Sequence, residues 1–226
     1  MNQILTRRQI LMGGSLGAAA WLVPGLFADE VARSVQLTRT PAMTEGPFYP
    51  DRLPLDTDND LVIIGNSTTP ALGEITHLAG RVLSQNGSPL NNLVVEIWQV
   101  DNNGAYLHSG TGNAAGRDRN FQGFGKFTTN QRGEYRFRTV KPVPYPGRTP
   151  HIHVKIKRGD RELLTTQLFI TGHPGNARDG IYRGAGGVFE RELVQAEWRR
   201  MPQSRIVESQ VTWDIVLGVT PAETGH

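Results

Sequence analysis

Cysteine is absent from this 226-residue chain, and its absence excludes several kinds of site. A chain without thiols has no disulfide framework, no thiolate metal site and no cysteine nucleophile. Any metal ion must therefore be held by nitrogen and oxygen ligands.

The sequence also has little excess charge of either sign. The formal net charge is +3, and two of the positive charges, Arg7 and Arg8, precede the first acidic residue, Asp29. Without these two arginines the net charge is +1. Nucleic-acid binding therefore has little electrostatic support, and we expect no nucleic-acid partner.

The composition is otherwise that of an ordinary globular protein. Hydrophobic residues make up 38% and charged residues 20% of the chain, which excludes a disordered protein, a coiled coil and a membrane protein with several spans. The length suits one domain with a sizeable core. Turn-forming residues are numerous, with 26 glycines and 14 prolines, and they favour many short strands over long helices.

Residues 1–28 are typical of a twin-arginine export signal. Arg7 and Arg8 stand in a polar start, a weakly apolar run follows, and Leu26-Phe27-Ala28 precedes the acidic Asp29. The alternative is an ordinary N-terminal helix or membrane anchor, but three glycines and Pro24 lower both helix propensity and membrane affinity. We therefore expect export to the periplasm and no membrane span in the mature chain.

Alternating apolar residues separated by turn formers predict a series of strands. Residues 75–83 and 93–100 are expected to form two strands joined by a tight turn at residues 86–89. Further strands are predicted at residues 125–128, 134–139, 151–156, 163–170 and 211–217. This spacing predicts an all-β fold, a sandwich of short antiparallel strands with long wrapping loops.

Two other regions complete the predicted organisation. Residues 29–72 contain many turn formers and little periodicity, and they are expected to wrap the sandwich domain of residues 73–226. Residues 188–199 have a helical pattern with Phe189, Leu193 and Ala196 on one face, which predicts one short accessory helix.

His151 and His153 stand at the start of a predicted strand. Alternation along a strand directs residues i and i+2 to the same face, so both imidazoles would point into one site. Such pairs commonly bind zinc, copper, iron or nickel. The alternative is a surface pair on an edge strand, and the surrounding residues must decide between the two.

Two tyrosines lie in loops where they could join the histidine pair. The proline-rich segment 141–150 presents Tyr145 and Arg148 in a stiff, extended setting, although a tyrosine simply packed among its prolines is the alternative. Tyr106 follows the strand that ends at Val100. A tyrosine has an ordinary pKa of about 10, so its phenolate forms at neutral pH only when a nearby charge stabilises it, as a trivalent hard cation does.

No carboxylate stands close to the histidine pair in sequence. The nearest acidic residues are Glu134 before it and Asp160 after it, so a site with two histidines and one carboxylate lacks an evident third ligand. Two tyrosines and two histidines are therefore the leading constellation.

Several short motifs between Thr44 and Tyr182 carry a family resemblance. They are Glu96-Ile97-Trp98-Gln99, Gly104-Ala105-Tyr106, Gly133-Glu134-Tyr135-Arg136-Phe137, Pro144-Tyr145-Pro146, Arg148-Thr149-Pro150-His151-Ile152-His153 and Thr166-Gln167-Leu168. With these motifs the chain resembles the intradiol ring-cleavage dioxygenases, and it is most similar to the iron-bearing β chains of protocatechuate 3,4-dioxygenases. The whole set of motifs is specific for this family, whereas any one of them alone is not.

The resemblance implies a non-haem ferric ion, Fe(3+), whose ligands match Tyr106, Tyr145, His151 and His153. It implies that a catechol-type ring is cleaved between its two hydroxyls with O2 to give a muconate-type diacid. The family mechanism would make Tyr145 a displaceable ligand that takes up a substrate proton. Arg148 would stabilise negative charge near the ring, with Gln167 as a further polar group at the site.

Two other functions are alternatives to ring cleavage. A non-catalytic transthyretin-like sandwich that binds sugars or proteins fits the strand pattern, but such a module has no need of the four tyrosine and histidine residues together. A hydrolase or oxygenase built on a divalent metal lacks a carboxylate ligand. The substrate, catechol-like or protocatechuate-like, is left open, as is assembly as a homo-oligomer or with a related second chain.

Overall fold

A computed structural model of the protein describes residues 36–218, so the export signal predicted at residues 1–28 lies outside the described residues. Ten strands account for most of the regular structure. They are Ile75–Ser84 (β1), Val94–Trp98 (β2), Phe124–Thr128 (β3), Glu134–Val140 (β4), His151–Arg158 (β5), Arg161–Ile170 (β6), Gln195–Ala196 (β7), Arg199–Arg200 (β8), Glu208–Thr212 (β9) and Ile215–Leu217 (β10). The helices within this range are two short ones, Gly180–Gly184 (α1) and Val188–Glu192 (α2), and two single 3-10 turns.

The strands form two sheets of five. One sheet has the order β3-β2-β5-β6-β7, and the other has β1 paired with β4, β9 and β10, with β8 beside β9. Most pairings are antiparallel, but β1 runs parallel to β9 and β10, and β6 runs parallel to β7. The predicted all-β sandwich is confirmed, with mixed rather than purely antiparallel sheets.

The main core lies between the two sheets, and alternation along β5 shows how it is filled. Ile152, Val154 and Ile156 are almost fully buried and face apolar residues of the other sheet, whereas His151 and His153 point to the opposite face. That outer face has a smaller apolar cluster of its own, in which Trp98 and Tyr106 pack under loop residues. The histidine pair therefore lies outside the main core, beneath the loops.

The turn predicted between the first two strands is present, but the strands do not pair with each other. Gly87 donates its N–H to the carbonyl of Ser84 at 2.9 Å, and its φ of 84° is one that glycine adopts readily. Only an isolated bridge between Leu83 and Pro89 follows. Leu90 donates its N–H to the Val82 carbonyl at 2.9 Å, but the Val82 N–H donates to the Gly133 carbonyl at 2.8 Å, so the pairing ends there and the chain crosses to the other sheet at β2.

The helix predicted over residues 188–199 forms only over Val188–Glu192, so the prediction is wrong for the rest of the segment. Helix α2 ends at Glu192, and Gln195 and Ala196 instead pair with β6 as strand β7. Phe189, expected on the buried face, is 52% exposed. Ala196 is buried in this pairing, at 7% exposure, so tertiary context overrides the helical pattern.

The first described segment crosses the outer face of the β5–β6 region. Met43 donates its N–H to the carbonyl of Thr165 at 2.8 Å, and Thr166 donates its hydroxyl to the carbonyl of Pro41 at 2.8 Å. Gly46, three residues after Met43, thereby lies against His153, whose Cε1 would be 3.6 Å from a Cβ at this glycine. No helix within residues 36–218 has the length and apolar character needed to cross a membrane.

Candidate metal centre

Strand β5 brings the two histidines together as the alternation predicts. Both side chains belong to residues only 2% exposed, and their Nε2 atoms are 3.1 Å apart. Strand β5 lies between β2 and β6, so His151 and His153 are on an interior strand and not on an edge. The surface-pair alternative is therefore wrong.

Tyr106 reaches the histidines from the loop that follows β2. The loop is fixed by buried Asp101, whose Oδ1 accepts hydrogen bonds from the N–H groups of Asn103 and Ala105 at 2.8 and 2.9 Å. The Tyr106 hydroxyl then lies 3.2 Å from His151 Nε2 and 3.0 Å from His153 Nε2. Tyr106 is 2% exposed, so this contact is sealed from solvent.

Tyr145 approaches from the other side on a tight turn. The turn runs from Tyr145 through Pro146 and Gly147 to Arg148, and the Arg148 N–H donates to the Tyr145 carbonyl at 2.9 Å. Proline followed by a glycine with φ of 79° suits such a turn. The Tyr145 hydroxyl is 3.4 Å from that of Tyr106. Unlike Tyr106, Tyr145 is only partly buried.

Two nitrogens and two phenolic oxygens thus converge on one point. Contacts of 3.0 to 3.4 Å join the Tyr106 hydroxyl to the other three donor atoms. This spacing allows one ion to bind them together, since bonds from histidine nitrogen to a metal such as zinc are about 2.0–2.1 Å long. Within residues 36–218, no group of three or more histidine and acidic side chains offers an alternative site.

Burial shifts the pKa of Tyr106, His151 and His153. It lowers the pKa of His151 to about 3, with the Arg148 charge contributing, and it lowers the pKa of His153 well below its ordinary value. Both imidazoles are therefore neutral and have a lone pair for a metal ion. Burial raises the pKa of Tyr106 well above its ordinary value, so this phenol ionises only beside a compensating cation.

The two imidazoles are oriented by different means. His151 Nδ1 lies 2.7 Å from the Thr149 carbonyl, which accepts its N–H and leaves Nε2 free to face the cluster. His153 Nδ1 is buried and has no hydrogen-bond partner in the structure. Its ring instead stacks on Trp98, with ring centroids 4.8 Å apart and planes 12° apart.

Arg148 and Gln167 lie beside the cluster, where the sequence predicts them. One guanidinium nitrogen of Arg148, Nη1, is 3.5 Å from the Tyr145 hydroxyl. The other, Nη2, donates to Gln167 Oε1 at 2.5 Å, and Gln167 Nε2 donates to the Thr44 carbonyl at 2.9 Å. Gln167 therefore connects Arg148 to the N-terminal segment that covers the site.

Sequence reasoning misses two contributors to this site. Trp98 is fully buried as expected of a core residue, but it lies on the outer face against His153. Asp179, which accepts a hydrogen bond from Arg148 Nε at 2.9 Å, has no motif around it. Its only sequence signal is that of an N-cap residue before a short helix.

Comparisons with known proteins agree with this geometry. A protein-family model described as a dioxygenase matches residues 44–219. The chain is 38% identical over 146 residues to the protocatechuate 3,4-dioxygenase beta chain of Burkholderia cepacia, which covers 61% of this chain and 62% of that one. The chain thus spans about three fifths of that relative's length.

Solved structures give the same result. The dioxygenase domain of a dioxygenase carbohydrate-binding fusion protein from Streptomyces sp. SirexAA-E superposes with a TM-score of 0.60 at 30% identity, covering 81% of this chain and 100% of that domain. Catechol 1,2-dioxygenase from Acinetobacter sp. ADP1 shares the fold, with a TM-score of 0.61 at 24% identity over 85% of this chain and 66% of that one. The chain belongs to the intradiol ring-cleavage dioxygenase family.

Proposed function

We propose that this protein is a non-haem Fe(III) intradiol dioxygenase that cleaves a catechol-type ring between its two hydroxyls. O2 is the second substrate, and a muconate-type dicarboxylic acid is the product. The observation that carries the proposal is the convergence of the hydroxyls of Tyr106 and Tyr145 with the Nε2 atoms of His151 and His153. Family membership supports it independently.

The donor set suits ferric iron. Neutral imidazoles serve many transition metals, but phenols with an ordinary pKa near 10 become ligands at neutral pH only beside a hard, highly charged ion. Tyr106, Tyr145, His151 and His153 would hold this ion. When bound, it supplies a Lewis acid that orients the catechol and withdraws electron density from the ring.

The two tyrosines are suited to different tasks. Tyr106 is buried and touches both histidines, so we assign it as a permanent ligand. Tyr145 is only partly buried and lies on a tight turn, so we assign it as the ligand that an arriving substrate would displace. Its Oη then accepts a proton from one catechol hydroxyl, while the second hydroxyl proton leaves to solvent. This is general base catalysis by a group that begins as a ligand.

Arg148 is assigned to charge stabilisation. Its guanidinium cation lies against the Tyr145 hydroxyl, where the substrate oxygens would bind. It stabilises the negative charge that builds up on substrate oxygen and ring carbon as the ring opens. Gln167 holds the guanidinium in place through the contact at 2.5 Å.

The proposal extends to the substrate class and the cellular setting. Catechol and protocatechuate are the candidate substrates, as the names of the similar proteins suggest. The paired arginines Arg7 and Arg8 support export to the periplasm by the twin-arginine route. Assembly with itself or with a related chain is part of the same proposal.

The test is oxygen consumption by ferric-loaded protein with catechol and with protocatechuate in parallel. We expect one O2 consumed per ring, with both atoms of isotopically heavy O2 recovered in the muconate-type product, which is a dicarboxylic acid from catechol and a tricarboxylic acid from protocatechuate. The doubly substituted variant His151→Ala/His153→Ala should be inactive. If the loaded protein binds catechols but consumes no O2 with either, it is not a dioxygenase for these rings, and the binding-module function takes precedence.

A further inference from the structure

Asp179 is a buried carboxylate whose two oxygens serve different parts of the structure. Its side chain is 0% exposed. The Oδ1 atom caps helix α1 and accepts the N–H groups of Ile181 and Tyr182 at 2.9 and 3.0 Å. The Oδ2 atom turns toward the candidate metal centre and accepts Arg148 Nε and the Thr149 N–H, each at 2.9 Å.

The contacts of Oδ2 reach two groups of the site at once. One is the guanidinium of Arg148. The other is the backbone of Thr149, whose carbonyl accepts the Nδ1 hydrogen of His151 at 2.7 Å. A single oxygen therefore fixes both the arginine and the residue that orients one of the imidazoles.

The charge on Asp179 is well compensated. Burial acts to raise the pKa of this carboxyl, but the N–H groups of Tyr182 and Thr149 and the Arg148 guanidinium outweigh it and keep the pKa below its ordinary value. A helix cap alone needs no carboxylate, because serine caps as well as aspartate does. The Oδ2 atom and the negative charge of Asp179 are not needed for the cap, and they bind the Arg148 guanidinium.

We propose that Asp179 is a positioning residue that holds the Arg148 guanidinium ready for the substrate. Its bond to Nε leaves Nη1 directed at the Tyr145 hydroxyl and Nη2 at Gln167. The guanidinium thus meets developing negative charge without first having to be ordered. This inference rests on the proposed function, because it acts through the role assigned there to Arg148.

The substitution Asp179→Ser separates this role from the helix cap. Serine retains a cap oxygen for α1 but removes the charge and the oxygen that holds Arg148. We expect kcat for catechol cleavage to fall about 10–100-fold, as for other groups that orient an active-site residue, with little change in KM. Ferric-loaded protein should still hold one iron per chain, because all four proposed ligands remain and the Thr149 carbonyl still accepts the His151 Nδ1 hydrogen.

Asp60 offers a matched control on the other sheet. It pairs with Arg138 at 2.9 Å and accepts the N–H of Val62 at 3.0 Å, so it makes the same kind of contacts away from the site. Because the Asp60 side chain is 35% exposed and that of Asp179 is 0% exposed, Asp60→Ser should lower the melting temperature by less than Asp179→Ser, and it should leave kcat unchanged. Kinetics are therefore measured well below both melting temperatures, where lost stability alone leaves kcat per folded protein unchanged.

A double-mutant cycle with Arg148→Ala gives the decisive test. If Asp179 acts through Arg148, adding Asp179→Ser to Arg148→Ala lowers kcat by less than about 2-fold. A larger further loss of kcat in the double variant would overturn the inference, as would an Asp179→Ser variant that is as active as the parent. Failure of the proposed function is distinguishable, because then the parent protein itself shows neither turnover nor a visible iron–tyrosinate band.

Discussion

Replacing Tyr145 by phenylalanine removes one oxygen from the candidate site and leaves the ring in place. The lost hydroxyl has two long contacts, 3.4 Å to the Tyr106 hydroxyl and 3.5 Å to Arg148 Nη1. Three of the proposed ligands remain, including both imidazoles. We therefore expect the variant to retain most of its iron while losing the base that takes up the substrate proton.

The two effects differ greatly in size. Loss of a general base lowers kcat by about 10²–10⁴-fold, which corresponds to about 2.7–5.4 kcal/mol in the activation barrier. Loss of a long, partly exposed hydrogen bond costs the folded state at most about 1 kcal/mol. In a protein of this size that shifts the melting temperature by about 2–4 °C.

Steady-state kinetics and iron content measured on the same preparation check this prediction. Tyr182→Phe is the matched control, since it removes a hydroxyl with a similar contact, 3.4 Å to Gln195 Oε1, from another partly buried tyrosine. The control should keep full activity. A Tyr145→Phe variant with undiminished kcat would refute the assigned role of proton acceptor, and one that loses all its iron would show that Tyr145 is needed to hold the metal.

Three other predictions concern residues around the ligands. Arg148→Ala should lower kcat about 10²–10³-fold with little change in KM, and steady-state kinetics that show only a higher KM would make Arg148 a binding residue instead. Trp98→Leu removes the ring that stacks on His153 and should weaken iron retention during dialysis about 10–100-fold. Trp98→Phe retains an aromatic ring and should retain the iron. Equal iron retention in the two variants would contradict a role for the stacked ring. Folding lowers the pKa of Asp179, so its ionised carboxylate stabilises the folded state above the unfolded-state pKa of about 3.9. This stabilisation is lost as the pH falls through the folded-state pKa. The difference in melting temperature between the parent and Asp179→Ser should therefore shrink on acidification below about pH 4.

The positions of eight of the ten strands could be predicted because alternation is a local signal, whereas β7 and β8, with two residues each, are too short to show it. Six of the predicted segments correspond to single strands, and residues 211–217 form two, β9 and β10, separated at Trp213 and Asp214. The pairing could not be predicted in the same way. Strand β1 takes its partners from residues 134–140 and 208–217, and nothing in a local pattern identifies neighbours so distant in the chain.

In the candidate site, too, features set by local sequence could be predicted, and contacts between distant parts of the chain could not. His151 and His153 share a face because of their spacing, and the Pro-Gly turn beside them explains the position of Arg148. Asp179 stands 31 residues after Arg148, and their contact exists only in the folded chain. The stack of Trp98 on His153 likewise depends on β2 pairing with β5, where these two residues are directly opposite.

The central claim is that two tyrosines and two histidines bind one ferric ion. A visible absorption spectrum of the purified protein, with iron counted in the same sample, tests it most directly. We predict one iron per chain and a broad tyrosinate-to-iron charge-transfer band that shifts when catechol or protocatechuate is added without oxygen. A protein that remains colourless after reconstitution with ferric iron would contradict the assigned site.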